Sequence, residues 1–350
     1  MLEGDLDVRK LLNTFYVTLP DVYLTLDGEN IVVRKENEIL RRVPLHNLEG
    51  IVTFGYIGAS PALIGACAER GIALTFLTTS GRFLANVCGI ERGNVKLRKT
   101  QYKLSDNEVD GLHIAKNMLV GKLYNSRWVL ERAIRDHALR IDVNRVSHAA
   151  KQISNTIPLL RQAKASGELF GLEGEAASRY FGAFDELILQ NKKHFFFHSR
   201  SRRPPLDNVN AMLSFVYTLL EGDVTAALCA VGLDPYMGFL HKTRPGRRSL
   251  ALDLMEELRS PLADRFVLTL VNTKQVDPSG FVQKENGAVL MRDETRKDFL
   301  AAWQTRKSEK LSHPFLKEKI EWGLVAHTQA LLLARTLRGD LDEYPPFLWK

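Results

Sequence analysis

The amino-acid sequence predicts an α+β protein, with a small β-rich N-terminal domain followed by a larger all-α C-terminal domain. The chain has 350 residues, enough for about two domains. Short strand-like runs separated by turn residues fill its first part, and apolar residues recur at helical spacing in the rest. We therefore expect a β-rich domain at 12–95, a linker at 96–106 and the helical domain at 107–350. The N-terminal extension 1–11 is assigned no role.

The first part of the chain alternates strand-forming runs with turn residues. Strands are predicted at Tyr16–Leu19, Tyr23–Leu26, Ile31–Arg34, Ile39–Val43, Ile72–Leu77 and Phe83–Val87, with Asp27-Gly28 as a hairpin turn. One helix is predicted around the apolar run Ala62–Ala68. Ser60 can cap its N-terminus, Pro61 suits its first position and Gly71 can end it.

The second part has the spacing of helices. Two apolar stripes predict buried helix faces: Leu112, Ala115, Leu119 and Leu123, then Met212, Phe215, Val216, Leu219 and Leu220. Further helices are predicted from Ser260-Pro261 to about Val271 and from Pro314 to about Leu337. One hairpin is predicted, in which Asn286-Gly287 joins Phe281–Lys284 to Ala288–Met291.

The composition is that of a globular protein, with 45% apolar and 25% charged residues, which excludes disorder, collagen and a membrane bundle. The start of the sequence is acidic, unlike a secretory signal, and no run approaches the length of a membrane span. We expect a cytoplasmic protein. The three cysteines, Cys67, Cys88 and Cys229, fit neither a disulfide framework nor a zinc motif and are interpreted as core thiols.

The formal charge of +7 is concentrated locally. No acidic residue lies between Glu186 and Asp207, a stretch that holds Lys192, Lys193, Arg200, Arg202 and Arg203. In the segment Arg202–Tyr217, two arginines precede a rigid Pro-Pro, and Asp207 is placed to cap the next helix. Guanidinium groups fixed in this way suit a phosphate backbone. A basic loop without a partner is about as good an interpretation of these residues alone.

The segment LEGEAASRYF, Leu172–Phe181, is the first candidate for a catalytic site. Glu173, Ala177 and Tyr180 fall on one stripe of a helix, so the carboxylate of Glu173 would face neighbouring elements and need a cation or a donor there. The alternative is that Glu173 and Glu175 are solvated residues of a first helical turn, which the helix dipole favours. From the residues alone, this alternative is the stronger one.

The second candidate is the region from Gly232 to Arg259. His241 ends an apolar run, and Asp253, Glu256 and Glu257 follow on a predicted helix. Two carboxylates and one imidazole can bind a divalent cation. Between His241 and Asp253 the sequence also holds Lys242, Arg244, Arg247 and Arg248, whose positive charges would attract a phosphodiester. The alternatives are a hydrogen-bonded boundary histidine and a solvated arginine loop.

Taken together, the segments LEGEAASRYF, RRPPLDNVNAMLSFVY, GLDPYMGFLH and PGRRSLALDLMEELR resemble the CRISPR-associated integrase and endonuclease family of spacer acquisition, the Cas-one family. The resemblance extends from about Leu12 to the end of the chain and is nearest to subtype I-C. It places the family's metal ligands on Glu173, His241 and Glu256, with Asp253 as the alternative third ligand and Glu257 as a residue that could assist.

The resemblance implies a Mg²⁺- or Mn²⁺-dependent enzyme that inserts short DNA fragments into a repeat array by transesterification. It also implies double-stranded DNA as substrate and a homodimer formed through the β-rich domain. Two such dimers would join a Cas-two partner dimer in a heterohexamer. Arg200, Arg202, Arg203, Lys242, Arg244, Arg247 and Arg248 would bind the DNA backbone. Tyr180 would pack rather than position a phosphate.

Two other functions remain compatible with the same residues. One is a metal-dependent nuclease that hydrolyses branched DNA, which would act without a free 3′ hydroxyl. The other is a non-catalytic DNA-binding scaffold, whose acids are helix caps and surface groups and which would be indifferent to a chelator.

Overall fold

The computed structural model describes residues 14–17, 19, 21–36, 38–48, 50–78, 83–87 and 95–350. The extension 1–11 and Cys88 lie outside the described residues. The chain divides into two compact units, Met1–Glu91 and Arg92–Lys350. The first is β-rich and the second mainly helical, which confirms the predicted order.

The described residues of the N-terminal unit form two sheets. Its strands are β1 Thr14–Val17, β2 Tyr23–Asp27, β3 Asn30–Lys35, β4 Glu38–Pro44, β5 Gly50–Phe54, β6 Gly58–Ala59, β7 Ala73–Leu77 and β8 Phe83–Val87. One sheet has the order β1-β5-β7-β8, with only the β7–β8 pair antiparallel. The other has the order β4-β3-β2-β6, with only the β2–β6 pair parallel. The predicted hairpin at Asp27-Gly28 joins β2 to β3.

The helix of this unit, α1 Pro61–Arg70, forms as the sequence predicts. The Ser60 side chain accepts a hydrogen bond from the backbone N–H of Leu63, and Gly71 ends the helix in the left-handed conformation. α1 buries Leu63 and Cys67 in the apolar core of the unit, which confirms Cys67 as a core thiol. Burial raises the pKa of this thiol to about 11, with Arg70 opposing the shift.

The C-terminal unit consists of packed helices and two short hairpins. Its helices are α2 Val95–Asp106, α3 Glu108–His137, α4 Val143–Gln162, α5 Ser166–Gly182, α6 Asn208–Ala230, α7 Ser249–Leu258, α8 Arg265–Asn272, α9 Asp293–Ser308 and α10 Val325–Arg338. Its strands are β9 Phe281–Gln283, β10 Val289–Met291, β11 Lys310–Ser312 and β12 Lys319–Glu321. The β9–β10 pair is the predicted hairpin, whereas β11–β12 was not predicted.

Four sequence-based expectations for this unit are corrected. The stretch predicted as a linker, 96–106, lies in α2, whose buried Gln101 donates hydrogen bonds to the carbonyl oxygens of Asp234 and Met237. Pro314 does not start a helix, because the chain around it turns between β11 and β12. The unit is therefore not all-α. The segment from Arg259 to Asp264, including Pro261, is a π-helical turn that continues α7 into α8.

The long helix α3 organises the core, because it packs against α4, α5 and α7. Among the described residues, α6 is the one helix long and apolar enough to span a membrane, and 56% of its apolar window is buried inside the protein. That burial is expected of a core helix. The capping of α6 is as predicted, since the Asp207 side chain accepts a hydrogen bond from the backbone N–H of Asn210.

Candidate active site

Glu173 and Glu256 converge on a single ammonium group. Glu173 lies on α5, Glu256 on α7 and Lys122 on α3. Lys122 Nζ is hydrogen-bonded to Glu173 Oε1 and lies 2.7 Å from Glu256 Oε2. We call this arrangement of three side chains the ammonium bridge. It brings together two carboxylates that are far apart in the sequence.

The environment of Glu173 settles the choice between its two interpretations. Its side chain is 24% exposed and paired with Lys122, whereas Glu175 is 56% exposed and contacts Arg179 in its own helix. Glu173 therefore faces neighbouring helices, as its position on the helix stripe predicts, whereas Glu175 is a solvated residue. Ala176 on the same helix is buried, which lets α5 approach its neighbours closely.

Glu256 is a buried carboxylate that is held in the ionised form. Its side chain is 4% exposed, and Arg259 Nη1 lies 3.2 Å from Glu256 Oε1. Burial raises the pKa of Glu256, but the charges of Arg259, Lys122 and His241 outweigh burial and lower the pKa to about 2.

His241 is oriented by Asp253. The ring atom His241 Nδ1 lies 2.6 Å from Asp253 Oδ1. Asp253 is fully buried and also accepts the backbone N–H groups of Phe239, Leu240 and His241. A side chain at Gly238 would come within 2.6 Å of Asp253 Oδ2, so only glycine fits beside this carboxylate. Because Nδ1 is engaged by Asp253, Nε2 is the ring nitrogen left to bind a metal.

Glu257 points away from this site into the C-terminal segment. Its carboxylate accepts hydrogen bonds from the Tyr344 hydroxyl, the Gln329 amide and the backbone N–H of Phe347. Burial raises the pKa of Glu257 to about 8, although these three donors oppose the shift. Glu257 and Asp253 are therefore both occupied by internal partners, and Glu256 is the acid of α7 that joins Glu173.

These residues fit a divalent cation by the chemistry of their donors. Two carboxylates already converge on one positive charge, and Asp253 orients the ring of His241, the third predicted ligand, through Nδ1. In the part of the chain that the structure describes, however, no three His, Cys, Asp or Glu side chains are arranged as a complete metal site. The position between the two carboxylates is taken by Lys122. The ligand set of Glu173, His241 and Glu256 therefore stays a prediction.

A second polar cluster lines the same cleft. Asp264 is buried and accepts hydrogen bonds from the hydroxyls of Tyr180, at 3.0 Å, and Tyr217, at 2.6 Å. The guanidinium groups of Arg200 and Arg259 lie over the Tyr217 ring. Burial raises the pKa of Asp264 to about 6, while the two tyrosines and the two arginines oppose the shift. Tyr180 is a buried residue with a polar partner, in line with the packing role expected for it.

The predicted DNA-binding residues separate into surface and interior groups. Arg202, Arg203, Lys242 and Arg244 are exposed, Arg247 is half-buried, and Arg202 reaches the cleft. The other two arginines pair with residues of the protein itself, Arg248 in the interior and Arg200 in a half-buried position. Arg248 is buried 3.6 Å from Glu221, and Arg200 donates hydrogen bonds to Asn210 and Ser214. Partial burial lowers the pKa of Arg200.

Sequence reasoning missed Lys122, Arg259 and Asp264. Lys122 directly precedes Leu123 of the apolar stripe on α3, and a lysine at the edge of a buried stripe was the available signal. Arg259 and Asp264 bound the π-helical turn, which the sequence did not predict. Their partners Tyr180 on α5 and Tyr217 on α6 come from tertiary packing.

The family model described as CRISPR associated protein Cas1 matches residues 15–305. The chain belongs to the Cas1 family. A CRISPR-associated endonuclease Cas1 from Chlorobaculum tepidum is 47% identical over 343 residues, which cover 98% of this chain and 100% of that protein. A second, from Rhodospirillum rubrum, is 50% identical over 347 residues, with the same coverage.

Solved structures with this fold include a Cas1 protein from Thermotoga maritima and a casposase bound to an integration product. The Thermotoga protein has a TM-score of 0.80 at 22% identity and covers 93% of this chain and 97% of its own. The casposase has a TM-score of 0.82 at 22% identity and covers 97% and 94%, respectively. At 22% sequence identity, these similarities establish a shared fold.

The raised pKa of Asp264 predicts a pH dependence of stability. The folded state holds the proton up to about pH 6, whereas the unfolded chain releases it at a lower pH. The stabilisation is therefore fully present below the unfolded pKa and lost as the pH rises through about 6. Between pH 4 and pH 7, the free energy of unfolding of the wild type should fall by up to about 3 kcal/mol relative to Asp264→Asn. Denaturant titrations at both pH values measure the difference, and parallel profiles would contradict the assignment.

Proposed function

We propose that this Cas1 protein is a divalent-metal-dependent DNA endonuclease and integrase of CRISPR adaptation. The ammonium bridge carries the proposal, because it places one part-buried and one buried carboxylate on a single cation position. His241, whose ring is oriented by Asp253, would be the third ligand. The relatives in Chlorobaculum and Rhodospirillum are named as CRISPR-associated endonucleases and align over their whole length. Both the site and the relatives favour phosphodiester chemistry.

Glu173 and Glu256 would supply oxygen ligands to Mg²⁺ or Mn²⁺, and His241 would supply Nε2. When bound, the ion would neutralise negative charge on the phosphate and orient its oxygens. Asp253 would hold the His241 ring through Nδ1, a second contact that commonly fixes a metal-ligating histidine. The low pKa of Glu256 keeps this carboxylate ionised and ready to bind a cation at neutral pH.

The exposed basic residues around the cleft would position the DNA. Arg202 and Arg203 precede α6, and Lys242 and Arg244 follow His241. Their charges would contact backbone phosphates without reading sequence. In the transesterification, the 3′-hydroxyl oxygen of the incoming fragment bonds to phosphorus, the bond to the leaving 3′ oxygen breaks, and the proton passes from the attacking oxygen to the leaving one. The number of phosphodiester bonds is unchanged.

Hydrolysis of DNA is the second candidate function, favoured by the endonuclease names of the relatives. It would use the same residues, with water in place of the 3′ hydroxyl. A fragment with blocked 3′ ends separates the two reactions, because strand transfer requires the hydroxyl. A scaffold without catalysis is the third alternative, and it would be indifferent to a chelator.

The proposed assembly is a homodimer formed through the β-rich unit, with two dimers joined by a Cas2 dimer on double-stranded DNA. A Cas6-RT-Cas1–Cas2 complex contains a chain with a TM-score of 0.81 to this protein at 22% identity, covering 97% of this chain and 36% of that one. The expected location is the cytoplasm, where DNA is accessible.

Removing one proposed ligand should abolish catalysis without unfolding the protein. We expect Glu173→Gln to lower the rate of Mn²⁺-dependent joining of a short duplex to a repeat-containing plasmid by at least about 100-fold. His241→Ala should have the same effect, and EDTA should stop the wild type. The matched control is Glu175→Gln on the same helix, which should react at the wild-type rate. Wild-type joining by Glu173→Gln would refute the ligand assignment.

The exposed arginines should contribute to the salt dependence of DNA binding. We expect Arg202→Ala and Arg244→Ala each to weaken binding and to reduce the slope of log K against log salt by about 1. Arg338→Ala, on α10 beside Asp340, is the control and should leave the slope unchanged. Fluorescence anisotropy with a labelled duplex at several salt concentrations measures the slopes. If both cleft variants kept the wild-type slope, these side chains would not contact phosphate.

A further inference from the structure

The ammonium bridge puts a permanent positive charge of the protein where the proposed function needs a metal ion. The Lys122 side chain is 14% exposed, and its two partners, Glu173 and Glu256, are 24% and 4% exposed. The bridge is therefore a part-buried ion pair rather than a surface contact. Its position concerns the proposed metal site directly.

The formal charges around the bridge balance without a metal. Glu173 and Glu256 are negative, and Lys122 and Arg259 are positive. A divalent cation between the same carboxylate oxygens would meet the ammonium group at contact distance. Repulsion between like charges is strong in a site with little water. The ion and the Lys122 ammonium therefore exclude each other from this position.

The displaced ammonium needs another anion. A lysine left unpaired in a part-buried cleft loses the interaction that offsets its desolvation. Asp264 lines the same cleft, but its oxygens already accept hydrogen bonds from Tyr180 and Tyr217. The anion that the proposed function brings to the cleft is a DNA phosphate. The flexible four-carbon stem of lysine allows such an exchange of partners.

We propose that Lys122 is the counter-ion of Glu173 and Glu256 in the DNA-free protein and competes there with the divalent metal. When DNA enters the cleft, the Lys122 ammonium moves to a phosphate, and the metal binds the two carboxylates. The inference rests on the proposed function, because it takes the metal site and the DNA substrate from it. It makes metal binding and DNA binding cooperative: DNA accepts the ammonium and so raises metal affinity, and by linkage metal raises DNA affinity equally. Lys122 is thus a positioning residue that limits metal binding by the DNA-free protein.

The test measures Mn²⁺ affinity of the full-length protein by electron paramagnetic resonance of free Mn²⁺, with and without a saturating short duplex. Without DNA, Lys122→Met should bind Mn²⁺ about tenfold tighter than the wild type. DNA should raise the wild-type affinity about tenfold and reduce the gap to the variant to about twofold. Lys122→Arg keeps the charge and should stay within about twofold of the wild type in the absence of DNA.

A control and a second readout separate this role from a purely structural one. Lys116→Met, on the same helix, removes a lysine that contacts the carbonyl oxygen of Arg161, and it should leave Mn²⁺ affinity unchanged. In EDTA, Lys122→Met should melt below the wild type, because two carboxylates lose their cation. Added Mn²⁺ should then raise its melting temperature more than that of the wild type.

Equal Mn²⁺ affinities of Lys122→Met and the wild type without DNA would overturn the inference. The inference would also be overturned if DNA left the Mn²⁺ affinity of the wild type unchanged. This second measurement does not depend on whether a variant folds. Either outcome leaves the proposed metal site intact, because Mn²⁺ still binds. If neither the wild type nor any variant binds Mn²⁺, with or without DNA, the proposed function fails and the inference with it.

Discussion

The placement of two carboxylates against one cation is the constraint on which the rest of the helical unit depends. Glu256 is almost fully buried and still ionised, because Arg259 and Lys122 supply positive charge on either side. Such a group is stable only while its partners stay in place. The packing of α3 against α5 and α7 keeps them there. The fold therefore keeps two carboxylates at one position, where a cation can bind them.

The surroundings of the site are fixed by hydrogen bonds rather than by apolar contacts alone. Asp253 accepts three successive backbone N–H groups and contacts the His241 ring, and these contacts stabilise the segment that carries the histidine. Glu257 ties α7 to Tyr344 and Phe347 near the C-terminus. Three acids within five positions of one helix thus have three different tasks, set by the direction in which each side chain points.

The elements that the sequence predicted well are those determined by local chemistry. The Ser60 cap and Gly71 terminus of α1, the Asp207 cap of α6 and the Asn286-Gly287 hairpin each depend on a few neighbouring residues. The elements that were predicted wrongly depend on residues that are distant in the sequence. α2 is held by hydrogen bonds from Gln101 to the loop before α7, and the chain around Pro314 is governed by the pairing of β11 with β12.

The same division applies to the site. The resemblance to Cas1 proteins pointed to Glu173, His241 and Glu256, but the pairing of Lys122 with both glutamates and the burial of Arg248 depend on tertiary structure. The central claim, that these three side chains bind one divalent ion, is tested most directly by anomalous diffraction from crystals of the protein with a DNA duplex and Mn²⁺. The account predicts one peak in contact with oxygens of Glu173 and Glu256 and with His241 Nε2, and a Lys122 ammonium that has moved away. Lys122 still bridging the two carboxylates, with Mn²⁺ bound elsewhere or not at all, would contradict it.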